Sequence, residues 1–326
     1  MELEMTGLTR NQAARVIARY FHTEHEYVGG TYDAYRIPDN SGRRWKIVSD
    51  ASIYAEDKNG DDASSKYRVE MVTPICVYED IPDIQQIVRN LRAAGARVNQ
   101  SCGIHIHVDA APYDARTLRN LVNIFASKEK LIYSALKVEP SRQTHYCKLT
   151  DQRFVQELNR MKPTSMEQLK TIWYNGRDGS QSHYDSSRYH GLNLHSVFSK
   201  GTVEVRAINA TLHAGKIRAY INFCLAISHQ ALTQKTACYV PRDVENEKYA
   251  FRVWLVRLGL NGDEFKNVRE HLLENLTGDI AWRDPAQRIR QQERLRKQAE
   301  QSQTTEQNEE MTGVGETDVG LSISED

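Results

Sequence analysis

The sequence predicts an α+β fold, a sheet covered by helices on one face, and three observations carry that reading. Residues 101–109 alternate strictly, with Cys102, Ile104, Ile106 and Val108 set against Gly103, His105, His107 and Asp109, which is the period of a strand with one apolar face. Residues 10–21 place Ala13, Val16, Ile17, Tyr20 and Phe21 at helical spacing instead. Segments of the two kinds are mixed along the whole chain. With 40% hydrophobic residues among 326, there is enough apolar material for a sizeable core. The 43 Lys and Arg balance 43 Asp and Glu, which argues against a dedicated nucleic-acid or membrane-surface protein, since those normally carry a basic excess.

Taken in order, the short segment holding Glu2 and Glu4 reads as a strand, and Thr9 with Gln12 forms a capping-box pattern before the 10–21 helix. Residues 32–49 form a hairpin that turns at Pro38-Asp39-Asn40-Ser41-Gly42. Residues 67–72 make a strand that Pro74 stops. A helix over 82–94 ends at Gly95 and leads to the 101–109 strand. Helices are expected over 114–136, 151–159 and 164–174, the last with a Thr164/Glu167 capping box. A polar loop then leads to strands over 192–198 and 202–208, and helices fill 212–276, with Phe265, Val268 and Leu272 as one stripe. The run 217–232 is the most hydrophobic, but Arg218, Asn222 and His229 suit a buried helix rather than a bilayer span.

From Asp284 the composition turns to Gln, Arg and Glu without aromatics, so residues 284–326 read as a disordered charged tail with at most one frayed helix, after a domain of residues 1–283. The five cysteines are widely spaced with no CxxC, and acidic Glu2 and Glu4 follow Met1 directly. A reducing, cytoplasmic setting without a secretory signal is therefore the expectation.

Chemistry concentrates in ionisable pairs two residues apart: Glu2 and Glu4, His105 and His107, Glu204 and Arg206, with Arg68 and Glu70 of the same parity. On a strand such pairs project from one side. If the strands share a sheet, four carboxylates meet there and repel unless cations lie between them. A carboxylate-rich set with some imidazole suits Mg²⁺ or Mn²⁺ better than Zn²⁺, and carboxylate-held Mg²⁺ commonly bridges to phosphates, which makes ATP the natural ligand. Each pair alone is usually a solvated strand face; their recurrence is what gives weight to a metal role. Gly215-Lys216 lacks the upstream glycine of a phosphate-binding loop, and His22, His25, His213 and His229 read as structural.

The segments MELEMTGLTRNQAARVIARYF, VEMVTP, SCGIHIHVDA, RYHGLNLHSVF and KGTVEVRAINATLHAGKIRAYINFCLAI, in that order, resemble the amidoligase family, a branch of the glutamine synthetase-like carboxylate-amine ligases that includes glutamate-cysteine ligases. The resemblance implies an antiparallel sheet funnel covered by helices on one face, and ATP-dependent formation of an amide or peptide bond through an acyl phosphate. The substrates would be a small-molecule or peptide carboxylate and an amine. It implies Glu2, Glu4, Glu70, His105 and Glu204 as metal ligands, His107 as a nucleotide contact, and Arg206 as the arginine that meets the transferred phosphoryl group. Arg188 and Asn193 become candidates for substrate carboxylate and phosphate, and Asp50, in the segment SDASI, a further cofactor contact. Family members carry several residues before the first acidic pair, so a first strand starting at Met1 is expected to be clipped and Glu2 to fray. Two rivals stand beside this reading. A metal-dependent amidohydrolase also uses HxH on a strand, though normally the first strand of a (β/α)₈ barrel. A non-catalytic binding protein would keep the shell alone.

Overall fold

A computed structural model describes residues 1–312. The chain runs β1 (Glu2–Met5), α1 (Arg10–Phe21), β2 (Glu26–Gly29), β3 (Ala34–Pro38), β4 (Arg44–Val48), β5 (Val69–Val72), α2 (Ile81–Ala93) and β6 (Gly103–Asp109). There follow α3 (Ala115–Leu136), α4 (Pro140–His145), α5 (Gln152–Met161), α6 (Met166–Trp173), β7 (Leu192–Asn193), α7 (His195–Lys200) and β8 (Thr202–Asn209). The last elements are α8 (Ala214–Thr233), α9 (Glu247–Arg257), α10 (Lys266–Leu273) and α11 (Pro285–Thr312). The fold is α+β. Among the described residues one eight-stranded sheet, in the order β2-β3-β4-β5-β1-β6-β8-β7, has every neighbouring pair antiparallel. A sheet with no parallel pair and two free edges is not a (β/α)₈ barrel.

The strand period sorts the sheet into two faces. Leu3, Met5, Ile37, Trp45, Ile47, Val69, Met71 and Ile104 are wholly buried and join one core with Ile17 and Phe21 of α1, Ile87 and Leu91 of α2, and Phe223 and Ile227 of α8. The helices therefore cover the apolar face. Helix α1 starts as its capping box requires: Thr9 accepts from the Gln12 N–H, and the Gln12 side chain accepts from the Thr9 N–H at 2.9 Å. Gly95, at φ +105°, ends α2 in a conformation that favours glycine.

Several expectations are corrected. The first strand does not fray: β1 lies between β5 and β6, Glu2 is registered with both Val72 and His105, and the Met1 ammonium donates to Thr73 Oγ1 at 3.0 Å. Residues 65–67 form a single 3₁₀ turn and β5 begins only at Val69, because the buried Arg10 guanidinium clamps the carbonyls of Ser65 and Arg68 at 2.6 and 2.9 Å. The expected strand over 192–198 is two residues long and gives way to α7. Asn193 turns its side-chain oxygen onto the His195 N–H at 2.8 Å, a local bond that competes with the ladder. The cap of α6 is Ser165 with Gln168, one residue later than Thr164 with Glu167. β2 has no strong alternation and was not anticipated.

By internal contacts the chain divides into a unit of Met1–Glu245 with Phe251–Leu276, and a smaller unit of Asn246–Ala250 with the described residues from Thr277. In the smaller unit the Asn246 amide holds the carbonyls of Asp279 and Trp282 at 3.0 and 2.7 Å. The segment expected to be a disordered tail carries α11, whose Gln, Arg, Glu and Ala favour helix even without an apolar stripe. The acidic end of that expected tail, with Glu316, Asp318, Glu325 and Asp326, lies outside the described residues. No helix among the described residues is long and apolar enough to cross a membrane.

Candidate active site

Register brings the ionisable pairs together. Residues directly opposed in an antiparallel pair point to the same side. Glu4 is opposed to Glu70, Glu2 to His105, His107 to Glu204, and Glu204 to Asn193. The β6–β8 pair needs an irregularity to achieve this. Ile104 is opposed to Ile208 but Ile106 to Val205, so β8 spends one extra residue opposite His105. Without that bulge His107 would face Val205, and the acid and the imidazole would point to opposite sides.

The side chains meet closely. His105 Nδ1 lies 3.0 Å from Glu2 Oε2 and 3.7 Å from Glu204 Oε1, and its Nε2 lies 3.8 Å from Glu4 Oε1. Three sets could each offer three ligand atoms within 4.8 Å of one another: Glu2, His107 and Glu204; Glu2, Glu70 and His105; Glu4, Asp50 and Glu70. Asp50 thus stands with two carboxylates, and its Oδ1 accepts from the N–H and hydroxyl of Ser52 at 2.7 and 2.6 Å. Arg206 donates to Glu204 Oε1 at 2.5 Å and to the Tyr146 carbonyl at 3.3 Å. Asn193 donates to Glu204 Oε2 at 2.7 Å, so both oxygens of that carboxylate are held.

The electrostatics divide the acids into two kinds. Burial pushes Glu2 upward, but the hydrogen bond from His105 and the close imidazole of His107 outweigh it and hold its carboxyl well below the usual range. Burial likewise opposes ionisation of Glu204, yet Arg206 and then the two imidazoles bring it down to about 2. Glu4 and Glu70 go the other way. Burial raises Glu4 despite His105 and Arg142, and it raises Glu70 strongly, with the charges of Glu2, Glu4 and Asp50 adding to the effect. The side with Glu204 has Arg206 bonded to its carboxylate, whereas on the side with Glu4, Asp50 and Glu70 the nearest ion pair is the longer one of Arg142 with Glu4, at 3.8 Å.

The site fits a divalent ion on a second ground. His107 Nδ1 is 3.0 Å from Thr202 Oγ1, which bonds Ser196, and this fixes the ring. Its Nε2 is buried, lies 3.3 Å from Glu2 Oε1, and is too poorly aligned to bond it. An imidazole anchored through one nitrogen, with the other free among carboxylates, is the arrangement that metal-binding histidines adopt.

Arg188 is not brought onto the carboxylates. It donates to the His183 carbonyl at 2.7 Å, lies over Tyr184 and Tyr189, and has a buried Nε that bonds no partner among the described residues. It lines a cavity of about 210 Å³ together with His183, Asn193, Lys200 and Glu204, next to the acidic face. Two cations of the site escaped the sequence reading. Lys200 Nζ comes within 3.8 Å of Glu2, and Arg142 of α4, almost fully buried, within 3.8 Å of Glu4. A signal for Arg142 existed in Gly103: a Cβ there would stand 2.2 Å from the Arg142 guanidinium, so only glycine lets β6 pass it.

A family model described as "Putative amidoligase enzyme" matches residues 1–228, which span every residue of this site. No curated protein matches the chain. The chain belongs to that amidoligase family.

Proposed function

We propose that this family member is an ATP-dependent carboxylate-amine ligase, and that its sheet is the antiparallel funnel of the glutamine synthetase and glutamate-cysteine ligase type, formed within residues 1–283. The observation that carries the reading is the row of five carboxylates, Glu2, Glu4, Asp50, Glu70 and Glu204, packed within metal-ligand reach and short of cations on the Glu4–Glu70 side. Such a row costs stability unless positive charge is shared among its members. Glu2, Glu4, Glu70, His105 and Glu204, with Asp50 and His107 beside them, are the residues that would hold Mg²⁺ or Mn²⁺. Bound there, the ions would neutralise phosphate oxygens of ATP.

The proposed reaction is a phosphoryl transfer followed by an acyl transfer. An oxygen of the donor carboxylate attacks the γ-phosphorus, and ADP leaves. The amine nitrogen then attacks the acyl carbon, loses a proton, and phosphate leaves. The chain's own part is to position and to neutralise charge. Arg206 is fixed by Glu204 and the Tyr146 carbonyl, so its charge is in place before any phosphoryl group develops more negative charge. Arg188, with its free Nε, and Lys200 supply cations to the adjoining cavity, which suits the donor carboxylate. Asn193 holds Glu204 through its amide N–H at the edge of that cavity.

An ADP-release assay with Mg²⁺, run with and without mixed amino acids and glutamyl peptides, tests the proposal. ADP release that requires the divalent ion and rises with a carboxylate and an amine together is the expected result. Amide hydrolysis without ATP would replace the ligase reading with the hydrolase one, and binding of neither nucleotide nor metal in calorimetry would favour the non-catalytic one.

A further inference from the structure

A cavity of about 800 Å³ lies on the helical side of the same unit, between α2, α10 and the start of α8. Its chemistry is the reverse of the acidic face. Arg89 and Arg92 of α2 and Arg218 of α8 line it, with Glu264 as the one carboxylate among its lining residues. Among the described residues Arg92 and Arg218 form no ion pair, Arg89 bonds only the Gln86 amide at 3.2 Å, and the nearby Lys216 is already paired with Glu274. Three guanidiniums facing one space with a single acid leave uncompensated positive charge.

The floor of the cavity is built rather than incidental. The Gln85 side chain bonds the Ala214 carbonyl at 2.9 Å and ties α2 to the first turn of α8. His213 caps α8 by accepting from the Lys216 N–H at 3.2 Å, and its ring meets that of His271 edge-on at 4.9 Å. A Cβ on Gly215 would lie 2.6 Å from His271 Nε2, so the glycine is what allows that imidazole to cross the helix start. The first turn of a 20-residue helix, at Ala214 and Gly215, therefore borders a space lined by guanidiniums and two imidazoles.

From the cavity and its unpaired guanidiniums we infer that this cleft is a second ligand site, which binds a phosphate-bearing anion on the face of the sheet opposite the carboxylate centre. Forked guanidiniums and helix-start N–H groups match the several oxygens of a phosphate, and the volume falls within the range that small-molecule sites occupy. The site would take either free phosphate or the phosphate of an organic molecule of up to nucleotide size.

Titration calorimetry on the full chain with inorganic phosphate, pyrophosphate and ATP, each in EDTA, tests this. The proteins compared are the unmodified chain, R92Q/R218Q and E70Q. At least one probe should bind the unmodified chain and E70Q alike, and R92Q/R218Q should weaken it by at least about tenfold. A nucleotide bound about tenfold or more tightly than phosphate assigns the site to an organic phosphate, and comparable affinities assign it to the free ion. Histidine-ring NMR gives a reading that does not depend on the variants: the His213 and His271 signals should shift on titration. Equal affinity in R92Q/R218Q, loss of binding in E70Q alone, unmoved ring signals, or no binding by any probe up to about 10 mM would overturn the inference.

Discussion

The two faces of strands β1, β5 and β6 are filled with opposite chemistry, the apolar one wholly buried and the acidic one buried at Glu4 and His105 and half-buried at Glu2 and Glu70. Leu3, Met71 and Ile104 point one way, and Glu4, Glu70 and His105, each beside one of them in sequence, point the other. On the apolar face burial is favourable by roughly 25 cal/mol per Å² of surface removed from water. On the acidic face the same burial is unfavourable, and it is offset only where Arg206, Arg142, Lys200 or an imidazole stands near. One side thus holds the fold together, and the other stores the demand for cations that gives the site its chemistry.

If this division is right, substitutions on the two faces must fail differently. Arg206→Ala should lower kcat by about 10²–10³-fold, with a smaller change in KM, because it removes charge placed for the transition state. An unaltered kcat in the folded variant would break the assignment. On the other face Met71→Ala should cost about 2–5 kcal/mol in denaturant unfolding, through lost burial and a cavity, whether or not metal is added. A stability change that depends on metal would blur the two faces. Adding Mn²⁺ to protein treated with EDTA should raise Tm by an amount equivalent to about 2.7 kcal/mol at a hundredfold excess over Kd, and Glu70→Gln should abolish most of that rise.

The smallest effect separates the two kinds of acid by pH. Glu70 is raised, so the folded state keeps its proton above the ordinary pKa of 4.5 and stability falls as pH rises through that window. Glu204 is depressed, so its contribution is present above 4.5 and is lost as pH falls toward about 2. Glu70→Gln should therefore stabilise the metal-free protein near neutral pH and have little effect at pH near 4, as followed by Tm. Equal effects at both pH values would show that Glu70 is not charge-strained.

Most of the secondary structure was legible because its signals are local: the capping box at Thr9, the turn at 38–42 and the alternation through 101–109 each depend on a few neighbouring residues. The errors fell where a distant group intervened, as when Arg10 clamped the chain before Val69. Asn193 is different. It ended β7 by a local bond that an apolar-periodicity reading passes over.

For the site, the sequence by itself determined that each acidic or imidazole pair shares a side, because a strand's period of two allows nothing else. It did not determine which pairs would face one another. Antiparallel register set Glu4 opposite Glu70, a single extra residue in β8 set Glu204 opposite His107, and chain crossings brought in Arg142, Lys200 and Asp50 from elements with no periodic mark of their own. The side on which a residue projects is a property of its own strand, but its electrostatic neighbours are a property of pairing across the sheet, and only the folded chain fixes that.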